Sequence, residues 1–136
     1  EAVEWLGLSG ETYPDRKRGG GFGWHREAPH APAYLVPQDY GCHMDTRAAI
    51  LRQAGGSKLT VRMSEQPFAF SAVPYAPRQL EQAAHREELP RPVRTVVTVC
   101  GAVRGVGGID SWCSDVGEPW RVSGEEDQAL SFQIEL

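Results

Sequence analysis

The run Gly105-Val106-Gly107-Gly108-Ile109-Asp110-Ser111-Trp112-Cys113-Ser114-Asp115 gathers on one short stretch the side chains best suited to meeting a ligand. Three glycines in four positions lift the Cβ restriction on the backbone, so the chain can turn sharply there. The turn then presents a carboxylate, a hydroxyl and an indole on a segment that reads as loop and that Pro119 bounds downstream. A large aromatic on such a loop needs something to stack on, and two readings stand open. Trp112 is either a platform for a ligand or a plug folded back onto one end of a sheet core.

Other reactive side chains are present without a pattern that commits them. His25, His30, Cys42 and His43 have four residues between the first two and eleven before the cysteine, which matches no zinc site. No metal is expected from them. Cys42, Cys100 and Cys113 are an odd number with no Cys-x-x-Cys pair, so neither a disulfide framework nor a zinc knuckle is indicated. Scattered thiols fit a reducing compartment, and the expected location is the cytoplasm. Glu87-Glu88 and Glu125-Glu126-Asp127 read as solvated surface. In Tyr13-Pro14-Asp15-Arg16, the aspartate suits the cap of a turn, while Arg16 or Arg47 can bridge carbonyls or carboxylates. A ligand contact by either arginine is the alternative. His85 and Arg86 sit where they could satisfy the last carbonyls of a helix.

The elements that must position these residues are short strands. Glu1 to Leu8 reads as a strand with Val3 and Trp5 on one face. Ser9 to Pro37 is irregular, with a glycine triplet at 19–21, then Pro29, Pro32 and Pro37, and an extended piece around Phe22 to Trp24. Nearly thirty residues of loop signals a functional or partner-facing surface. Cys42 to Leu51 is strand-like, Gly55-Gly56 makes a tight turn, and Lys58 to Ser64 alternates, which together predict a hairpin. Leu59, Val61 and Met63 should point inward and Thr60, Arg62 and Ser64 outward. Phe68, Phe70 and Ala72 keep the two-residue period until Pro74 ends it.

Pro77 to His85 is the one helix, with Pro77 in its first turn and Leu80, Ala83 and Ala84 as its apolar stripe. Val93 to Cys100 is rich in β-branched residues and should be a buried strand. Leu130 to Leu136 alternates as a half-buried final strand, with Phe132 and Ile134 inward. Many short strands, long turns and one short helix predict an all-β antiparallel sandwich. The expected core is Leu59, Val61, Met63, Phe68, Phe70, Val97, Val99, Phe132 and Ile134.

With 136 residues the chain is a single domain or a fragment of one, expected to span residues 1–136. Its 40% hydrophobic and 24% charged content is ordinary for a soluble globule. Fourteen basic against eighteen acidic residues leave a net charge of −4, and no basic stripe interleaves with the aromatics. Nucleic acid and anionic membrane are therefore not expected partners. No apolar run reaches the length of a membrane span.

Four blocks in register give the chain a resemblance. Gly105 to Trp112 resembles the Gly-Gly-x-Asp-Ser-Trp loop of the large bacterial β-galactosidases, family 2 glycoside hydrolases of the lactose-cleaving type. Trp5-Leu6-Gly7-Leu8 with Tyr13-Pro14-Asp15-Arg16-Lys17 is similar to the family's Trp-x-Gly and Tyr-Pro-Asp-Arg block. Tyr34-Leu35-Val36-Pro37-Gln38-Asp39-Tyr40-Gly41, then Asp45-Thr46-Arg47, resembles its Pro-Gln-Glu-x-Gly and Arg block. Phe68-Ala69-Phe70-Ser71, Tyr75, Gln79-Leu80 and His85-Arg86 resemble the next. Asp39 stands where Glu is usual, Ala48 where a bulky aromatic commonly follows the arginine, and Cys113 where Gly or another small residue often follows the tryptophan.

The resemblance implies that the chain is the second half of the C-terminal super-sandwich domain of a β-galactosidase, a fold shared with galactose mutarotases. It implies that Trp112 enters an active site built by the catalytic barrel and binds substrate there, a terminal β-D-galactoside such as lactose. Retaining glycosidases need two carboxyl groups about 5–5.5 Å apart. No acidic residue here matches the family's catalytic glutamates, so the chain alone should contain no catalytic residue and be inactive. The family's Mg and Na sites lie in other domains, and no cofactor is expected in this chain. The missing barrel and remaining domains are the expected partners, within a homo-oligomeric parent enzyme. The alternative is a stand-alone carbohydrate-binding or interaction module. A mutarotase-type epimerase is more distant, because it needs a paired His and Glu on a concave face and the four histidines show no such signature.

Overall fold

In the computed structural model, which describes residues 1–30 and 40–136, eight strands and one helix are arranged in two sheets. β1 (Ala2–Leu8) alternates as expected, with Val3 and Trp5 buried and Leu6 and Leu8 only partly so. It lies between β2 (Phe22–Glu27) and β4 (Ala48–Arg52), antiparallel to both. β5 (Lys58–Met63) returns from β4 through the Gly55-Gly56 turn, which Gly56 N–H closes onto the Gln53 carbonyl at 3.1 Å. Gly56 has φ 88°, a backbone state glycine adopts without strain. β8 (Phe132–Glu135) adds to β5 and completes a sheet of order β2-β1-β4-β5-β8.

The second sheet has the order β3-β6-β7, from His43–Thr46, Phe68–Val73 and Val96–Cys100. β3 and β4 are nearly one strand. Asp45 takes φ 53° and the β3–β6 register slips beside it, so the chain bends from the small sheet into the large one at Arg47. Bulges and bends of this kind let a strand serve both layers of a sandwich. The core lies between the layers: Val3, Trp5, Ala49 and Val61 from the large sheet meet Phe68 and Phe70 from the small one. An all-β antiparallel sandwich with one short helix is thus the observed fold.

Several expectations shift in detail. The helix, α1 (Pro77–Gln82), stops three residues before His85, since Ala83 is already extended. Leu80 is its buried residue and Gln79 reaches back to accept from Ala76 N–H at 2.9 Å, while Ala84 is exposed. His85 and Arg86 belong instead to a separate 3-10 turn with its own hydrogen bonds. β7 begins at Val96 and is half-buried, because it is an edge strand paired only with β6. Thr60, expected outward, is only 1% exposed: it sits mid-sheet between Ile50 and Glu135 on the flanking strands. The largest correction is β8. Ile134 is 60% exposed and Phe132 also lies on the surface, because the five-stranded sheet reaches beyond the three strands facing it. By contrast Ala48 is buried, so the missing aromatic after Arg47 leaves that strand packed.

Candidate functional site

The glycine loop leaves β7 through residues 101–104 and is seated on Val116, which is fully buried. Gly105 N–H donates to the Trp120 carbonyl at 2.9 Å and joins the two arms of the loop at their base. A Cβ at Gly105 would stand 2.7 Å from both Trp120 Cβ and Val116 Cγ2, so close approach is what requires glycine there. Asp115 braces the returning arm: it accepts from Val116 N–H at 2.7 Å and pairs with Arg104 and with Arg121, the latter at 3.3 Å. Arg121 also meets Glu118 at 2.6 Å. The Val116 N–H bond leads in holding the Asp115 carboxyl below its ordinary value, with the two arginines adding to it.

A third carboxylate comes from far away in sequence. Asp15 accepts from Val106 N–H at 3.0 Å and from Gly107 N–H at 2.7 Å, one oxygen for each amide. Its side chain is only 5% exposed. Burial by itself raises this carboxyl, but the Val106 and Gly107 amides, with Arg16 alongside, outweigh it and keep the group below its ordinary value. Asp15 therefore caps a turn as its motif suggested, and the turn it caps is the Trp loop. Arg16 donates to the Asp15 carbonyl at 2.9 Å, and its guanidinium fills the space a Cβ on Gly107 would need. Arg47 takes a different part, lying 4.8 Å over the ring of Phe22.

At the tip, Asp110 folds the chain around the indole. Its carboxylate accepts from Ser114 Oγ at 2.8 Å, from Trp112 N–H at 2.8 Å and from Ser114 N–H at 3.2 Å. These bonds, the Ser114 hydroxyl first, hold its carboxyl below the ordinary value. Cys113 has φ 69°, the left-handed region that favours glycine. The result is an exposed indole: Trp112 is 85% exposed and plugs no core. The groove beside the loop base, lined by Pro14, Val103, Arg121 and Glu126 among others, does not extend to it.

The remaining candidates are structural. His43 is buried between Trp5 and Phe70, at centroid distances of 4.0 and 5.1 Å, with Nδ1 2.7 Å from the Gly10 carbonyl. Its Nε2 lies 3.4 Å from Glu27, a His–Glu pair that sequence analysis missed. The His43 hydrogen bond is the leading cause that holds the Glu27 carboxyl below its ordinary value, against burial. The imidazole is buried, while the Glu27 side chain is about one-third exposed. His25 Nε2 faces the carbonyls of Gly7 and Gly21 at 3.2 and 3.0 Å. Among the described residues no three His, Cys, Asp or Glu side chains converge as a metal site would need, and no helix is long and apolar enough to cross a membrane. Of the three cysteines, Cys42 is buried, Cys100 half-buried and Cys113 exposed. The motif stretch Tyr34 to Asp39 lies outside the described residues.

Comparison with known proteins agrees with this motif set. The sequence model of the family described as Beta galactosidase small chain matches residues 1–136. The beta-galactosidase small subunit of Latilactobacillus sakei is 48% identical, over 94% of this chain and 44% of its own length. Beta-galactosidase BgaC of Bifidobacterium adolescentis is 36% identical over 93% of this chain and 12% of its own. A beta-galactosidase of Halalkalibacterium halodurans is 33% identical over 98% of this chain and 14% of its own. The chain thus spans less than half the length of these curated relatives. Matched along all its residues, it belongs to the beta-galactosidase small-chain family.

Proposed function

We propose that the chain completes the active site of a β-galactosidase by presenting Trp112 to the galactoside. In this reading it is the second half of a C-terminal super-sandwich, and a partner catalytic chain or domain supplies the acid/base and the nucleophile. The observation that carries it is the exposure of a large indole on a loop otherwise tied down by three carboxylates. Sugar C–H groups pack well on an aromatic face once water is excluded, and walls from a catalytic partner would exclude it. The acidic residues near the loop are already engaged with backbone amides or arginines, so they serve as braces and leave proton transfer to the partner.

Steady-state kinetics of the assembled enzyme test this. Trp112→Ala removes a stacking surface worth on the order of 1–2 kcal/mol and should raise KM roughly ten-fold, with kcat changing less. The small chain alone should not turn over a chromogenic galactoside. An unchanged KM in the variant, with unchanged affinity for a competitive galactoside inhibitor, overturns the reading.

A further inference from the structure

We propose that Asp15 is the positioning residue of the Trp112 loop and acts on galactoside affinity only through that indole, an inference that rests on Trp112 meeting the sugar. The grip is bidentate, and its partners stand 91 and 92 residues downstream. One oxygen takes Val106 N–H and the other takes Gly107 N–H, so the carboxylate fixes the orientation of two successive peptide planes, not merely a point. Asp15 is itself fixed. Arg16 N–H donates to the Tyr13 carbonyl at 2.9 Å to close the turn, and Tyr13 is buried in a cluster that Val106 packs against.

The two motifs interlock too closely to move apart. A Cβ on Gly105 would come 3.0 Å from the Asp15 Cγ, and one on Gly107 would meet the Arg16 guanidinium. From Gly107 only four residues lead to Trp112, and Asp110 ties that tip to itself. With the indole 85% exposed and its backbone N–H held by Asp110, its placement follows the backbone that the base of the loop positions. The Tyr13-Pro14-Asp15-Arg16 turn and the Gly105–Trp112 loop are then one device: the first holds and the second presents.

The test compares Asp15→Asn, Trp112→Ala and the double variant in the enzyme assembled with its catalytic chain. Asparagine keeps the size but turns an N–H toward one of the two amides, leaving at most one bond. Asp15→Asn should raise KM three- to ten-fold with a smaller change in kcat, and should add nothing in the Trp112→Ala background. Amide exchange of the segment containing Val106 and Gly107 should accelerate at least ten-fold in Asp15→Asn and stay unchanged in Trp112→Ala. Should Asp15→Asn fail to fold, Gly107→Ala, which displaces Arg16 from the base, is expected to show the same coupling. Unaltered exchange in Asp15→Asn, or a KM effect that persists at full size without the indole, overturns the positioning role. If Trp112→Ala leaves KM unchanged, the sugar-platform reading falls instead, and the exchange result alone then decides whether Asp15 holds the loop.

Discussion

Trp5 and Trp112 are the same side chain put to opposite uses. Trp5 is 2% exposed, with His43 against its ring, Phe70 edge-on at 6.1 Å and its indole N–H donating to the Leu8 carbonyl at 2.8 Å. Trp112 is almost wholly exposed, and the hydrogen bond that anchors it belongs to its backbone. Packing fixes the first, so its position is shared among many weak contacts. Carboxylates bound to backbone amides fix the second, so its position depends on a few directional bonds. A loop built this way holds an aromatic in place without covering it.

The sharpest way to break that comparison is to remove each kind of support. Trp5→Ala should destabilise the fold by about 3–5 kcal/mol, as for a buried aromatic truncated in a core. A denaturant midpoint within error of the parent would mean that the sandwich does not rest on this residue. Gly105→Ala is the counterpart at the loop base, and overpacking there should cost about 1–3 kcal/mol. The nearest atoms are carbons of Val116 and Trp120 close to the backbone, with little freedom to yield. If the variant melts like the parent while the Trp112 segment remains protected from exchange, the tight base is not needed.

How much of this was legible in the sequence follows the same division. Period-two patterning located β1, the β4–β5 hairpin and β6, because there one face is buried against the other sheet. It misread β8, whose alternation is clean but whose inner face extends past the opposing sheet, and Thr60, whose burial comes from neighbouring strands. The Trp loop was visible as glycines beside an aromatic, and Asp15 was legible as a turn cap. What sequence could not show is which turn it caps. Nothing local links Asp15 to Val106 and Gly107, since the partners stand 91 and 92 residues apart in sequence. The His43–Glu27 pair was missed for the same reason, whereas the Arg104–Asp115–Arg121 brace is local and was missed because no periodic pattern or motif marks an ion pair across an irregular loop.

Acid offers a gentler probe of the directional supports. The Asp15 carboxyl is held below its ordinary value, burial being outweighed by the Val106 and Gly107 amides and Arg16. Its contribution is therefore complete above the unfolded value of about 3.9 and is lost as pH falls through the lower folded value. The loop base should keep its exchange protection, corrected for intrinsic rates, from pH 8 to 5 and lose it only below about pH 4. Asp15→Asn should lack that acid-linked step. A parent protein that loses protection between pH 7 and 5 would point to a different group holding the base.

The smallest expected effect separates the two tryptophans most cleanly. Trp112→Ala removes a side chain that is 85% exposed and leaves intact the backbone bond from residue 112 to Asp110. Surface substitutions away from caps and cores usually fall within about 0.5 kcal/mol, and this one should as well. The contrast with Trp5→Ala is then roughly three to five kcal/mol for one chemical change at two addresses. Denaturant titration of both variants under one set of conditions measures it. A loss of about 3 kcal/mol or more at residue 112 would show that the indole is covered and packed in solution. The loop would then be a plug, and its three carboxylates would be securing a piece of core.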